Sequence, residues 1–120
     1  MQKLLFIVDD TDSNLTMLAS ILEDDYRVLT MPSAEKMFSL LEKKRPDLIL
    51  LDIEMPDMDG YEALAKLKQK PDRSGIPVMF ITRHIDDTVL SRASELGALE
   101  VVSKTDAAKV LPERVKKHLT

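Results

Sequence analysis

Short apolar runs alternate along this chain with longer stretches in which apolar residues return every three or four positions. Short runs rich in Val, Ile and Leu suit strands buried on both faces, and the longer periodicity suits amphipathic helices. The pattern predicts strands at residues 3–8, 26–30, 47–51, 78–82 and 99–103. The first, third and fourth are the most continuously apolar, so they are expected at the centre of a parallel sheet with helices on both faces. Leu15, Leu18, Ile21 and Leu22 form one helical stripe, and Met37, Leu40 and Leu41 form another after a Pro32-Ser33 start signal. Residues 61–68, 88–96 and 107–119 supply three more helices. Pro112 has no backbone N–H to donate, so the last helix is expected either to begin near Leu111 or to bend there. The stretch 69–77, which collects Pro, Asp, Ser and Gly, reads as a surface loop. Strand and helix in this alternation make βα repeats and an α/β fold.

Length and charge narrow the classes of function. At 120 residues, 44% apolar and 32% charged, the chain has the size and composition of one globular domain, and no internal repeat or low-complexity tract divides it. A net charge of -4 argues against a surface for phosphate backbones, which needs clustered Lys and Arg, so direct nucleic-acid binding is not expected. Apolar runs such as 4–8 and 48–51 fall far short of the roughly 20 residues that span a bilayer. No cleavable signal pattern opens the chain, and the expectation is a cytoplasmic protein without membrane insertion. Without Cys, disulfides, a thiol nucleophile and thiolate zinc sites are excluded.

Open parallel sheets bind ligands beyond the C-terminal ends of their strands, at the point where strand order reverses. Read in sequence, those ends carry Asp9 and Asp10 after the first strand, Asp52 closing the third, Thr82 closing the fourth and Lys104 just past the fifth. Three neighbouring carboxylates repel one another unless a cation sits among them, and oxygen ligands with room for water suit Mg²⁺. Such an ion together with Lys104 would neutralise the equatorial oxygens of a phosphoryl group, Thr82 would donate a hydrogen bond, and Asp52 would attack phosphorus in line. Singly, each residue has an ordinary reading: Asp9, Asp10 and Asp52 as caps or turn formers, Thr82 as a strand residue, Lys104 as a solvated lysine. Their joint placement at one sheet edge is what points to a site.

These residues, with the segment Leu50-Leu51-Asp52-Ile53-Glu54-Met55-Pro56-Asp57-Met58-Asp59-Gly60, make the chain resemble the receiver domains of two-component response regulators, the chemotaxis response regulator among them. The resemblance covers nearly the whole chain and implies one receiver domain at residues 1–120. It implies a flavodoxin-like, doubly wound sheet of five parallel strands in the order 2-1-3-4-5 with five helices. It implies Asp52 as phosphoacceptor, Asp10 as a direct Mg²⁺ ligand, Asp9 as a ligand through water and the Glu54 backbone carbonyl as a further ligand. Thr82 would swing toward the phosphoryl group and Lys104 would pair with it. The donor would be a phosphohistidine on a sensor kinase or a histidine phosphotransfer protein. Such a domain catalyses its own phosphorylation and slower dephosphorylation without turning over a small substrate. Modification would switch the surface of the fourth helix, fifth strand and fifth helix toward an output domain or partner protein; weak homodimerisation through that face is a further possibility.

Several positions depart from the family pattern. Arg83 stands where a small residue usually follows the switch hydroxyl; it would either screen the acceptor, bind phosphoryl oxygens bidentately, or point to solvent. Val101 stands where many receivers place a rotating aromatic, and a β-branched side chain offers no such toggle. Thr105 replaces a usual proline, so the Lys104–Thr105 peptide is expected to be trans, since a cis bond there costs about 2.5–4 kcal/mol. Glu54 and His84 occupy places that modulate phosphorylation and hydrolysis in the family, although His84 also reads as a plain surface residue. The rival to a competent receiver is a pseudo-receiver acting as a phosphorylation-independent interaction module. A nucleotide or flavin carrier lacks its Gly-rich loop, because Gly60, Gly75 and Gly97 are all far from the first strand. A metal-dependent phosphatase would usually need a capping insertion. The final residues, LPERVKKHLT, resemble the last helix of receivers that precede other domains, so an N-terminal module of a longer protein is expected.

Overall fold

The computed structural model describes residues 2–119. Five strands, β1 (Leu4–Val8), β2 (Arg27–Met31), β3 (Leu48–Asp52), β4 (Val78–Thr82) and β5 (Glu100–Ser103), alternate with five helices, α1 (Asp12–Leu22), α2 (Ala34–Leu41), α3 (Gly60–Gln69), α4 (Asp87–Leu96) and α5 (Ala107–Leu119). All strand pairs are parallel, in the order β2-β1-β3-β4-β5. This is the expected flavodoxin-like order, with the three most apolar strands, β1, β3 and β4, at the centre.

Side chains alternate across a strand, so each central strand feeds two cores. Leu5, Ile7, Leu48, Leu50, Met79 and Ile81 meet Leu15, Leu18 and Leu22 of α1 and Ala107, Leu111 and Val115 of α5 on one face. Phe6, Val8, Ile49, Leu51 and Phe80 meet Met37 of α2, Ala63, Leu64 and Leu67 of α3 and Ala93 of α4 on the other. Two helices thus cover one face and three the other. Each fully buried Leu, Ile or Phe contributes about 1.5–3 kcal/mol, so these layers fix where the strand ends lie.

Local signals set the helix ends. Ser33, Asp59 and Asp86 cap α2, α3 and α4, each side chain accepting from the backbone N–H three residues on. Gly97 ends α4 with φ of 87°, a left-handed conformation that suits glycine. The stretch between α3 and β4 is a series of turns, as its composition predicted. α5 runs from Ala107 to Leu119 as the pattern predicts, with Pro112 inside it, so of the two alternatives left open by that proline the start near Leu111 is ruled out. Pro112 supplies no N–H to the carbonyl four residues earlier, a loss accepted because Leu111 and Val115 on either side are fully buried.

Candidate functional site

β1 and β3 are hydrogen-bonded neighbours, yet the helices that follow them, α1 and α3, lie on opposite faces of the sheet. The chain therefore parts above these two strands, and a crevice opens there. It forms a cavity of about 200 Å³ lined by Asp10, Thr11, Asn14, Asp52, Glu54, Arg83 and Lys104.

Asp9 is buried beside this cavity. Its backbone N–H donates to the carbonyl of Met31 (3.2 Å), and its Oδ1 accepts from the N–H of Thr11 (3.0 Å) and, at the long limit of 3.5 Å, from Asn14 Nδ2. The first of these side-chain bonds is the turn-forming role expected of an aspartate; the other oxygen is different. Asp9 Oδ2 is buried with no partner of hydrogen-bonding geometry, and lies 2.7 Å from Lys104 Nζ as a charge contact. Asp10 is exposed, and one oxygen from each of Asp9, Asp10 and Asp52 falls within 4.8 Å of the others.

Lys104 reaches this cluster from the far side. Its N–H donates to the Thr82 carbonyl (2.8 Å), tying the loop after β5 to the end of β4, and Thr105 N–H donates to Ser103 Oγ (3.2 Å). The Lys104–Thr105 bond is trans, since no cis peptide occurs among the described residues. From that position the ammonium sits 3.2 Å from Asp52 Oδ1 as well as 2.7 Å from Asp9 Oδ2.

Burial pushes the Asp52 carboxyl up to about 6, with repulsion from Asp9 adding to the rise and Lys104 opposing it. Burial also disfavours the charged form of Lys104, but the contacts with Asp9 and Asp52 outweigh it, and its pKa is raised. One lysine therefore does not neutralise the cluster. The excess charge and the all-oxygen donor set fit a hard divalent cation held by Asp9, Asp10 and Asp52.

The loop between β3 and α3 shows what its motif does physically. Asp57 adopts φ of 68°, which aspartate tolerates better than most residues. Asp59 caps α3 through the N–H of Glu62 (2.9 Å). Gly60 approaches Asp52 so closely that an added Cβ would sit 2.4 Å from the Asp52 carbonyl oxygen, while its own N–H donates to Ile53 (2.8 Å). Glu54 projects from this loop into the cavity lining.

The remaining residues singled out in the sequence fall in two groups. Thr82 is buried, and its hydroxyl has only 3.5 Å contacts with the backbone of His84, so it is weakly held. Arg83 lines the cavity. His84 is not among the lining residues; its exposed ring lies 3.6 Å from Asp86. Val101 is half-buried on β5 beside Phe80, in the core facing α2, α3 and α4. Tyr61 meets that same Phe80 edge-on, and Arg92 lies 3.8 Å over the tyrosine ring. Thr11 and Asn14 line the cavity without having been singled out; their only signal was their place in the first turn after the switch-point strand.

A family model described as the response regulator receiver domain matches residues 5–116. A probable cyclic di-GMP phosphodiesterase of Vibrio cholerae is 35% identical over 96% of this chain and 26% of its own length. The transcriptional regulatory protein AfsQ1 of Streptomyces coelicolor is 32% identical over 97% of this chain and 50% of its own length. The chain thus spans about a quarter to a half of these curated relatives. The solved signal receiver domain of a signal transduction histidine kinase from Syntrophus aciditrophicus matches with a TM-score of 0.88 at 34% identity, covering 98% of this chain and 89% of that one.

Proposed function

The chain belongs to the family of response regulator receiver domains, and from that premise we propose that it takes a phosphoryl group from a phosphohistidine partner onto Asp52, with Mg²⁺, and so switches an output surface. The observation that supports this most directly is one cavity holding Asp10, Asp52 and Lys104 side by side, with the buried Asp9 in contact with the same lysine. An Asp52 carboxylate oxygen attacks phosphorus as the bond from phosphorus to the donor imidazole nitrogen breaks. The electron pair returns to that nitrogen, and an acyl phosphate remains on Asp52.

Lys104, kept protonated by its two carboxylate neighbours, offers its charge to the equatorial oxygens. Thr82, loosely bonded where it stands, turns its hydroxyl toward the same group. Mg²⁺ held by Asp10 and Asp52, by Asp9 through water and by the Glu54 carbonyl would shield the charge gathering there. Glu54 at the cavity wall stands where it affects the hydrolytic water; His84, which lies outside, acts on the rate only through the loop it shares with Thr82.

In this reading residues 1–120 form one receiver unit, although residues 1 and 120 lie outside the described residues. Its donor is a sensor histidine kinase or histidine phosphotransfer protein, its place the cytoplasm, and its output a further domain or separate partner. No described helix is long and apolar enough to cross a membrane.

Intact mass after incubation with Mg²⁺ and acetyl phosphate tests the proposal. The expected result is a gain of one phosphoryl group that disappears in Asp52→Asn and on chelation. A folded protein that gains nothing from small donors or from phosphohistidine partners would leave the pseudo-receiver in its place.

A further inference from the structure

We propose that Arg83 is a second cationic contact for the phosphoryl group, gripping its equatorial oxygens alongside Lys104. The proposal rests on Asp52 being the acceptor. Lys104 is already shared between two carboxylates, at 2.7 Å from Asp9 and 3.2 Å from Asp52. Arg83 lines the same cavity, is exposed, and has no ion-pair partner among the described residues, even though Glu54 borders the cavity with it. The basic residue beside it, His84, lies instead against Asp86. A guanidinium at the mouth of a carboxylate-lined cavity, bound to none of those carboxylates, is placed for an anion that arrives later.

Charge and shape agree on what that anion is. A phosphoryl group brings about two negative charges to a cluster where Asp9 and Asp10 are already acidic, more than Lys104 and one divalent ion neutralise. The planar fork of arginine matches two oxygens of a tetrahedral phosphate at once, which the point charge of a lysine does not. Because Arg83 directly follows Thr82, the hydroxyl and the guanidinium come to the same group from one turn of backbone. Arg83 therefore acts as a specificity residue for the modified state, a role that the sequence pattern of the family, with a small residue here, does not supply.

Beryllofluoride with Mg²⁺, a stable phosphoryl mimic, gives an equilibrium test by fluorine NMR titration. The wild type is expected to bind it, Arg83→Ala about tenfold more weakly, and Arg83→Lys in between, as for the loss of one charge-assisted contact. Raising salt to about 0.5 M should narrow the gap between wild type and Arg83→Ala. Equal urea midpoints would show that the fold is untouched, as suits an exposed side chain. Arg83→Ala binding within about twofold of wild type, or more tightly, would overturn the proposal. If the wild type itself forms no complex, the acceptor reading beneath it fails instead.

Discussion

The crevice over β1 and β3 and the outer edge made by α4 and β5 belong to one sheet but follow opposite rules. Every residue of β3 is buried, Asp52 included, and Asp9 beside it is 1% exposed. At the other edge only one of the four β5 residues is buried, and Ile85, Leu90 and Leu99 stand 36%, 48% and 42% exposed. The first region holds the charges of Asp9 and Asp52 among buried residues; the second leaves apolar side chains in water. Rigid packing around unfavourable charge defines a chemical site, whereas a loosely covered edge has freedom to change what it touches. Substitutions at the crevice should therefore have large effects of either sign, and those at the edge small ones.

The largest effect is expected at Lys104. Its removal leaves two buried carboxylates facing each other, and breaking a buried pair in this way costs about 3–5 kcal/mol. Lys104→Ala should lose that much in urea unfolding of the metal-free protein, and Mg²⁺ should restore part of it. Asp52→Asn should do the reverse. It removes one repelling charge from the same cluster without changing shape, so the metal-free protein should gain on the order of 1–2 kcal/mol while losing all phosphoryl uptake. If both variants move stability in the same direction, the crevice is not a site of stored charge repulsion.

Next comes Gly60. Here the backbone rather than charge makes the demand, because an added methyl would lie 2.4 Å from the Asp52 carbonyl oxygen and 2.8 Å from the Ile53 Cα. Neither atom belongs to a flexible side chain. Gly60→Ala should cost about 1–3 kcal/mol and slow phosphoryl uptake by displacing the Asp52 backbone, which a coupled measurement of stability and loading rate would show.

These contrasts also explain what the sequence allowed to be read. Strand order of burial, helix faces and the carboxylates at the switch point follow from periodicity and from the ends of apolar runs, because a central parallel strand has no alternative but to be apolar throughout. The segment around Asp52 was legible through its resemblance to receiver domains, and the structure adds local reasons for three of its residues: Asp59 caps, Gly60 yields space, Asp57 accepts a left-handed backbone. What was not legible was relative position between distant segments. That His84 lies beside Asp86 while Arg83 lines the cavity depends on how one loop turns after β4, and adjacent residues there carry no periodic signal. Pro112 shows the same limit. Its ring argues locally for a helix start, but burial of Leu111 and Val115 keeps the helix continuous through it.

Where β5 meets α5, Glu100 pairs with Arg114 (2.7 Å) and His118 (2.5 Å). Burial favours the neutral form of Glu100, but hydrogen bonds from His118 and Arg114 outweigh it and hold the carboxyl below its usual range. A depressed carboxyl stabilises the fold above its unfolded pKa of about 4.5, and that contribution is lost as pH falls through the lower folded value. Glu100→Gln should thus cost about 1 kcal/mol at neutral pH, discounted because Arg114 is half in water, and almost nothing once the pH is well below 4.5. Urea midpoints of the two proteins should converge on acidification; midpoints that stay apart would mean that packing, not charge, is what Glu100 contributes.

The smallest effect is expected at Leu90, and it is the one that tests the comparison most sharply. Leu90 lies on α4, about half exposed, while its helix is anchored by Ala93 and capped by Asp86 and Gly97. Those anchors do not involve the Leu90 side chain, so Leu90→Ser removes apolar surface that folding had left in water. Stability should change by less than about 0.5 kcal/mol, and phosphoryl uptake on Asp52 should be unaltered. The same change at a crevice strand, as in Leu50→Ser, would bury an unpaired hydroxyl and open a cavity at a fully enclosed position, at a cost of several kcal/mol. A large loss from Leu90→Ser would mean that the α4–β5 edge is as tightly determined as the crevice, and the division of the molecule into a rigid charged end and a loosely covered one would have to be given up.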